Sequence, residues 1–361
     1  MDFTFSPEQD ALRDVVRSFL ARESPSTWVR AMIDDPRGFT DDWWSKIVEL
    51  GWTGLLVPLA LGGEGLALVD AVVLQEEMGR LPLPGPFFSS AIAATLFARR
   101  LGDDSLLTRL ANGEQRATVA IEEGGTGDPL LRIATTADAA GTLDGVKPVV
   151  LDGHTADVAL VVARDPAGLG VYAVDKPSAL IVPSLDVTRK MTRLVLDRRP
   201  ARRIGPPGDQ TALIARSMDD IAVALCAETV GSCDQALHLA IEYAKVRVQF
   251  DRPIATFQAI KHKIVDMLHQ LELARVGTHY AAWASDVDDG ERERAAAMCK
   301  GFVGEAATMV TGESIQVHGG VGFTWDVDCH LLFRRVKQDD VLFGRQGWQR
   351  QRLADLVLSR N

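Results

Sequence analysis

Several groups of residues in this chain could do chemistry. At one corner Arg247 stands near a helix end, Phe250 follows three residues later, and Gln258 enters the next helix. Arginine supplies forked donors for phosphate. Phenylalanine offers a face for a planar ring, and a glutamine amide both donates and accepts. Together they could grip a nucleotide. They could equally be a helix-hairpin corner, with Arg247 capping a helix C-terminus and the aromatics in the core. In Gln316-Val-His-Gly319-Gly320 paired glycines follow a helix. They let a ligand or another backbone approach closely, or simply cap the helix. Asp219 and Asp220 precede a long helix expected over about 221–246, where the helix dipole favours acids. His262, Asp266 and His269 share a helical face and could ligate a metal. A polar stripe beside Lys261 and Lys263 accounts for them better. The run Gly168-Leu-Gly170-Val-Tyr-Ala173 matches a dinucleotide fingerprint, but a strand-like run follows it instead of a helix start.

The elements that position these residues fall into three blocks. The 361 residues suggest two or three domains. Residues 1–115 read as helical. Ser6-Pro7-Glu8-Gln9 forms a capping-box start, Thr40-Asp41-Asp42 opens another helix, and Gly62-Gly63-Glu64-Gly65 interrupts the pattern. Residues 116–210 hold short β-branched runs such as 117–121, 159–163 and 194–196, and read as a small β-domain closed by a loop over 203–209. Residues 211–361 return to longer helices. This order argues against a repeated βαβ sheet. A net charge of −10 argues against nucleic acid as a general partner. The four cysteines, with no CxxC, read as buried thiols of a reducing cytoplasm. Met1 to Phe5 shows no signal core, and the uncharged run from Leu81 to Ala98 is broken by prolines, so no membrane span is expected.

The two glycine- and arginine-bearing segments become specific when taken together. Tyr243 to Met267 follows YxxxRxQFGxPIxxFQxxxHxxxDM, and Gln316 to Trp325 follows QxHGGxGFTW. Glu49-Leu-Gly-Trp52, Pro58, Gly62-Gly63-Glu64-Gly65 and Glu76-Glu77-Met78-Gly79-Arg80 agree in the N-terminal half. Over nearly its whole length the chain resembles the acyl-CoA dehydrogenase family. The resemblance implies a mainly α fold: a helical N-domain, a small β-barrel-like middle domain and a C-terminal four-helix bundle, assembled as a tetramer. It implies FAD as cofactor and an acyl-CoA thioester as substrate. A carboxylate takes the α-proton, the β-hydrogen leaves as hydride to the flavin, and an electron-transfer flavoprotein is the acceptor. Arg247, Phe250, Ile254, Phe257 and Gln258 fall where the family contacts the diphosphate and adenine side of FAD. Gln316, Gly319 and Gly320 fall where it holds the far end of FAD, typically that of the neighbouring subunit.

The sequence departs from the family at Asp251, which replaces a glycine, and more seriously around the flavin ring. Glu122-Glu123-Gly-Gly stands where hydroxyl and small residues hold the ring, and Val149 and Leu151 replace its aromatic and hydroxyl partners. The commonest base position carries Phe343, and the alternative one falls on Ile221. No residue is assigned as base; Asp220 is the nearby candidate. This pattern is similar to the non-catalytic partner subunit of actinobacterial α2β2 acyl-CoA dehydrogenases of steroid side-chain degradation, in which FAD is shared with a homologous catalytic chain. A self-sufficient homotetramer using Asp220 or Glu228, and a flavin-free structural homologue, are the alternatives.

Overall fold

The computed structural model describes residues 5–288 and 290–359; Met1–Thr4, read above for a leader, lie outside them. Helix α1 (Pro7–Glu23) starts at the expected capping box, with Ser6 and Gln9 each accepting the other's backbone N–H at 3.2 and 3.1 Å. After α2 (Ser26–Asp34), α3 (Asp41–Glu49) is capped by the Thr40 hydroxyl, which accepts from Trp43 N at 3.2 Å. Helix α4 (Leu68–Gly79) is almost wholly buried. A π-helical stretch over Phe87–Ala94 runs into α5 (Thr95–Leu101), and α6 (Asp104–Ala111) follows.

The middle of the chain is one curled sheet. Its strands are β1 (Ala117–Ala120), β2 (Thr136–Ala137), β3 (Thr142–Leu151), β4 (Val158–Asp165), β5 (Gly168–Asp175), β6 (Ala179–Val182), β7 (Met191–Pro200) and β8 (Arg202–Ile204). They lie in the order β6-β7-β3-β2-β4-β5-β8, with β1 parallel to β4. Side chains alternate across a strand. In β4, Val158, Leu160 and Val162 join the main core shared with the helices, while Ala159, Val161 and Ala163 join a second core on the other face. The expected loop over 203–209 is shorter than the sequence suggested, because Arg202–Ile204 pairs with β5. The fingerprint at Gly168–Ala173 lies inside β5, so it opens no helix.

Four helices dominate the remainder: α7 (Thr211–Val246), α8 (Gln258–Asp286), α9 (Arg292–His318) and α10 (Cys329–Asp339), with α11 (Gln346–Leu358) behind them. Between α7 and α8 sit two short strands, β9 (Val248–Gln249) and β10 (Arg252–Pro253). Helix α7 begins ten residues earlier than the sequence pattern suggested. Ile214, Met218 and Ile221 are all buried on one face, so its first turns dock on the sheet. Helices α4 and α7 cross at backbone contact. A Cβ added to Gly79 would meet Glu228 O at 1.9 Å, and one added to Gly231 would meet Glu76 O at 1.8 Å. Glycine costs a helix about 1 kcal/mol relative to alanine, and here it permits that approach. No described helix is long and apolar enough to cross a membrane. All four cysteines are free and buried.

Candidate functional site

The corner is built from the end of α7. Arg247 is its C-cap, with its N–H donating to Tyr243 O at 2.9 Å. The chain then turns through a hairpin in which Gln249 faces Arg252. The two linking residues, Phe250 and Asp251, have φ of 52° and 61°. Both being positive identifies the two-residue hairpin loop whose backbone twist suits antiparallel strands. A glycine at 251 would be relaxed there, and aspartate tolerates the left-handed region. A phenylalanine at positive φ is strained by about 1–3 kcal/mol. Ile254 N donates to Arg247 O at 2.8 Å and closes the loop.

This geometry holds the Phe250 ring outward at 85% exposure, edge-on to Phe257 with centroids 6.0 Å apart. Arg252, not singled out from the sequence, lies over the Phe257 ring at 4.3 Å. Arg247 and Gln258 are exposed, while Ile254 and Phe257 are half-buried beneath them. Among the described residues neither the Arg247 guanidinium nor the Gln258 amide has a protein partner. The corner therefore presents two aromatic rings and two guanidinium groups with spare donors.

The end of α9 meets the same end of the bundle. His318 stacks on Tyr243 with centroids 4.4 Å apart and planes 26° from parallel. Its Nδ1 lies 2.8 Å from Ser314 O, and the Ser314 hydroxyl donates to Ala236 O at 2.7 Å. Gln316, Gly319 and Gly320 are exposed. Gly319 has φ 63° and ψ −139°, a conformation open essentially to glycine alone. A Cβ on Gly319 or Gly320 would meet nothing within 4 Å, so the space before them is free. The adjoining Phe323 and Trp325 are also exposed, and Arg30 of α2 anchors the loop by bonding Trp325 O at 2.5 Å and Asp328 at 2.6 Å.

The ring side is packed quite differently. Phe343 is buried at φ 54°, its ring 6.3 Å from that of Phe88. Glu122 lies against the Phe343 and Gly344 peptide N–H groups, and burial raises its pKa; its Oε1 is buried without a partner. The cavity beside it is about 70 Å³ and is lined by Val149, Leu342 and Arg345. Glu123 is bound by Lys147 Nζ and the Thr135 hydroxyl, each at 2.6 Å. Burial would raise its carboxyl, but Lys147 outweighs this and holds it below the usual range. Behind Phe88, Arg189 donates to Glu228 at 2.6 Å and to Asp339 at 2.9 Å. The fully buried Arg335 bonds Asp186, Glu228, the Thr188 hydroxyl and Leu83 O. The space left there is about 10 Å³, room for one water at most.

The acids weighed above as candidate bases are engaged as well. Asp220 lies well inside α7, not at its N-terminus; it pairs with Arg100 at 2.6 Å and accepts from the Ser285 hydroxyl. The dipole explanation for it therefore fails. Asp219 takes both arms of Arg352, at 2.5 and 2.9 Å, on the wall of a cavity of about 260 Å³ outside Phe343. Glu228 is fully buried; burial would raise its carboxyl, but two guanidinium groups hold it below its ordinary pKa. His262, Asp266 and His269 are exposed, and no group of three metal-ligating side chains occurs among the described residues. No local spacing points to Arg189, Arg335 or Arg352 as partners of these acids, since each pair is far apart in the chain.

Comparison with known proteins matches residues 6–120 to the acyl-CoA dehydrogenase N-terminal domain and residues 211–358 to the acyl-CoA dehydrogenase C-terminal domain. The acyl-CoA dehydrogenase IpdE2 of Mycobacterium tuberculosis is 32% identical over 331 residues, covering 91% of each chain. Among solved structures, the Tcur3481-Tcur3483 steroid ACAD G363A variant superposes with a TM-score of 0.90 at 31% identity, covering 98% of each chain. The ChsE4-ChsE5 complex from Mycobacterium tuberculosis gives 0.89 at 25% identity, covering 99% of each chain.

Proposed function

This chain belongs to the acyl-CoA dehydrogenase family, and from that premise we propose that it is the subunit of an FAD-dependent enzyme that completes the flavin site of a homologous catalytic chain. The observation that carries the proposal is Phe343. A phenyl ring fills the position where the family most often places its base, and Glu228, Asp219 and Asp220 are all engaged by arginines. Both oxygens of Glu228 and of Asp219 are held by guanidinium groups, and those of Asp220 by a guanidinium and the Ser285 hydroxyl, so none is free to face a substrate proton.

FAD fits the other half of the site. Arg247 would bind its diphosphate, Phe250 and Phe257 its adenine, and Gln258 a polar edge. Gln316, Gly319 and Gly320 would approach the cofactor bound largely by the neighbouring chain. FAD supplies the hydride acceptor for α,β-desaturation of an acyl-CoA thioester. The residues of this chain bind and orient, and the base belongs to the partner. Exposed Val265, Leu268 and Val276, spaced along α8, give the chain an apolar face suited to assembly into a tetramer. The two heteromeric relatives support assembly with a homologous chain, and the steroid ACAD among them supports a steroid-type acyl group; an electron-transfer flavoprotein as acceptor and the cytoplasm as the place of action follow from the family resemblance.

The test is activity with the chain alone and co-expressed with a homologue carrying an acid at the base position. Acyl-CoA-dependent reduction of a dye only in the co-expressed sample is expected. Activity of the chain alone, abolished by Asp220→Asn, would instead establish a self-sufficient enzyme. Absence of flavin from both samples would establish a structural homologue.

A further inference from the structure

We propose that the cleft between α5, α7 and α8 is a second binding site, for a phosphate-bearing anion. The cleft encloses about 280 Å³ and is lined by Arg99, Arg100 and Arg216 above Leu68 and Leu96. It shares no residue with the corner or with the cluster around Phe343, although Asp220, the base candidate, lies on its wall, and the inference does not depend on the flavin reading.

Two carboxylates also face this cleft, so the balance of donors and acceptors decides what it can hold. Asp220 gives one oxygen to Arg100 at 2.6 Å and the other to the Ser285 hydroxyl. Asp286 accepts the peptide N–H groups of Leu68 and Val69 at 2.8 and 2.9 Å, which open α4. Its burial raises the carboxyl pKa. Every carboxylate oxygen in the cleft is thus occupied.

The donors are not used up. Arg99 has no carboxylate partner among the described residues and makes one contact, to Leu56 O at 3.5 Å. Arg216 gives Nη2 to Asp288 at 2.5 Å, while its Nε is buried with no partner. A guanidinium carries five N–H donors. Two of these groups with spare donors, beside a third fixed by Asp220, suit an oxyanion that accepts several bonds at once. A buried donor without an acceptor costs about 1–3 kcal/mol, and an anion seated here would relieve that cost at Arg216. Free phosphate and a phosphate ester share this chemistry.

Titration calorimetry of the full chain at low ionic strength tests the proposal, using inorganic phosphate, pyrophosphate and ribose 5-phosphate as separate probes. Binding of inorganic phosphate at about millimolar Kd or tighter is expected. Arg99→Gln and Arg216→Gln should each weaken it about tenfold, whereas Asp286→Asn, which removes a negative charge, should strengthen it. Arg202→Gln, at a surface pair with Asp103 outside the cleft, should leave it unchanged. Tighter binding of ribose 5-phosphate than of phosphate would identify an ester as the ligand. Absence of heat with all three probes, or equal weakening by Arg202→Gln, overturns the site.

Discussion

At the corner between α7 and α8 the groups able to bind are open to solvent and lack partners, whereas behind Phe343 and Phe88 the arginines and acids of the Arg189 and Arg335 network are already paired with one another. Phe250 is held in a strained backbone conformation with its ring outward, and Arg247 and Gln258 keep their donors free. Some distance away, Arg189 and Arg335 occupy Asp186, Glu228 and Asp339. Unspent donors and strain mark a surface shaped for something outside the chain. Saturated ion pairs mark an interior that binds its own elements together: this network joins the loop before the π-helical stretch, the sheet, α7 and α10.

If the ring side serves structure, cutting its network must cost far more stability than stripping the corner. Arg335→Met leaves Asp186 without its buried cation and Glu228 with Arg189 alone, and should destabilise the fold by about 3–5 kcal/mol, read from denaturant unfolding. An effect within 0.5 kcal/mol, typical of a surface substitution, would remove the contrast.

Asp152 extends the same packed region and should show itself through pH. Burial pushes its carboxyl up to about 6, despite a 2.7 Å hydrogen bond from the Ser89 hydroxyl. The folded pKa exceeds the unfolded one, so folding favours the protonated form. This group costs nothing below about pH 4, and its cost grows as pH rises through about 6, reaching about 2–3 kcal/mol at neutrality. Unfolding free energy should therefore rise between pH 7 and pH 5, and Asp152→Asn should flatten that rise. Asp339, also raised by burial and by Glu228, contributes in the same direction and keeps part of the slope.

At the corner the expected effects fall on binding. Arg247→Ala in the assembled complex should weaken flavin retention by about 10–100-fold, the loss of a charge-assisted contact, with thermal stability of the isolated chain unchanged. Smallest is Phe250→Asn. Relief of backbone strain should stabilise the isolated chain by about 1 kcal/mol while flavin retention falls. A loss of stability would show that Phe250 is held by its own fold and not for a ligand.

Local rules carried much of the fold into view. The capping box at Ser6, the cap at Thr40 and the β-branched runs in β1, β4 and β7 each depend on neighbours in sequence. The start of α7 was hidden because Gln210, its N-cap, makes no side-chain cap and instead bonds Val171 N at 2.8 Å within the sheet. That error placed Asp220 at a helix end. The hairpin turn was hidden because neither Phe250 nor Asp251 is glycine. Candidate corner residues could be named because they lie within one short segment. The ion pairs could not, since Arg189, Glu228 and Arg335 meet only when sheet and bundle pack together, and no spacing announces them.

The central claim is most directly tested by flavin absorbance per polypeptide, measured on the chain purified alone and on the complex with its catalytic homologue. The account predicts almost no bound flavin in the isolated chain, and in the complex flavin that is lost when Arg247 of this chain is replaced by alanine. One tightly held flavin per isolated chain, or retention in the complex indifferent to Arg247, would contradict it.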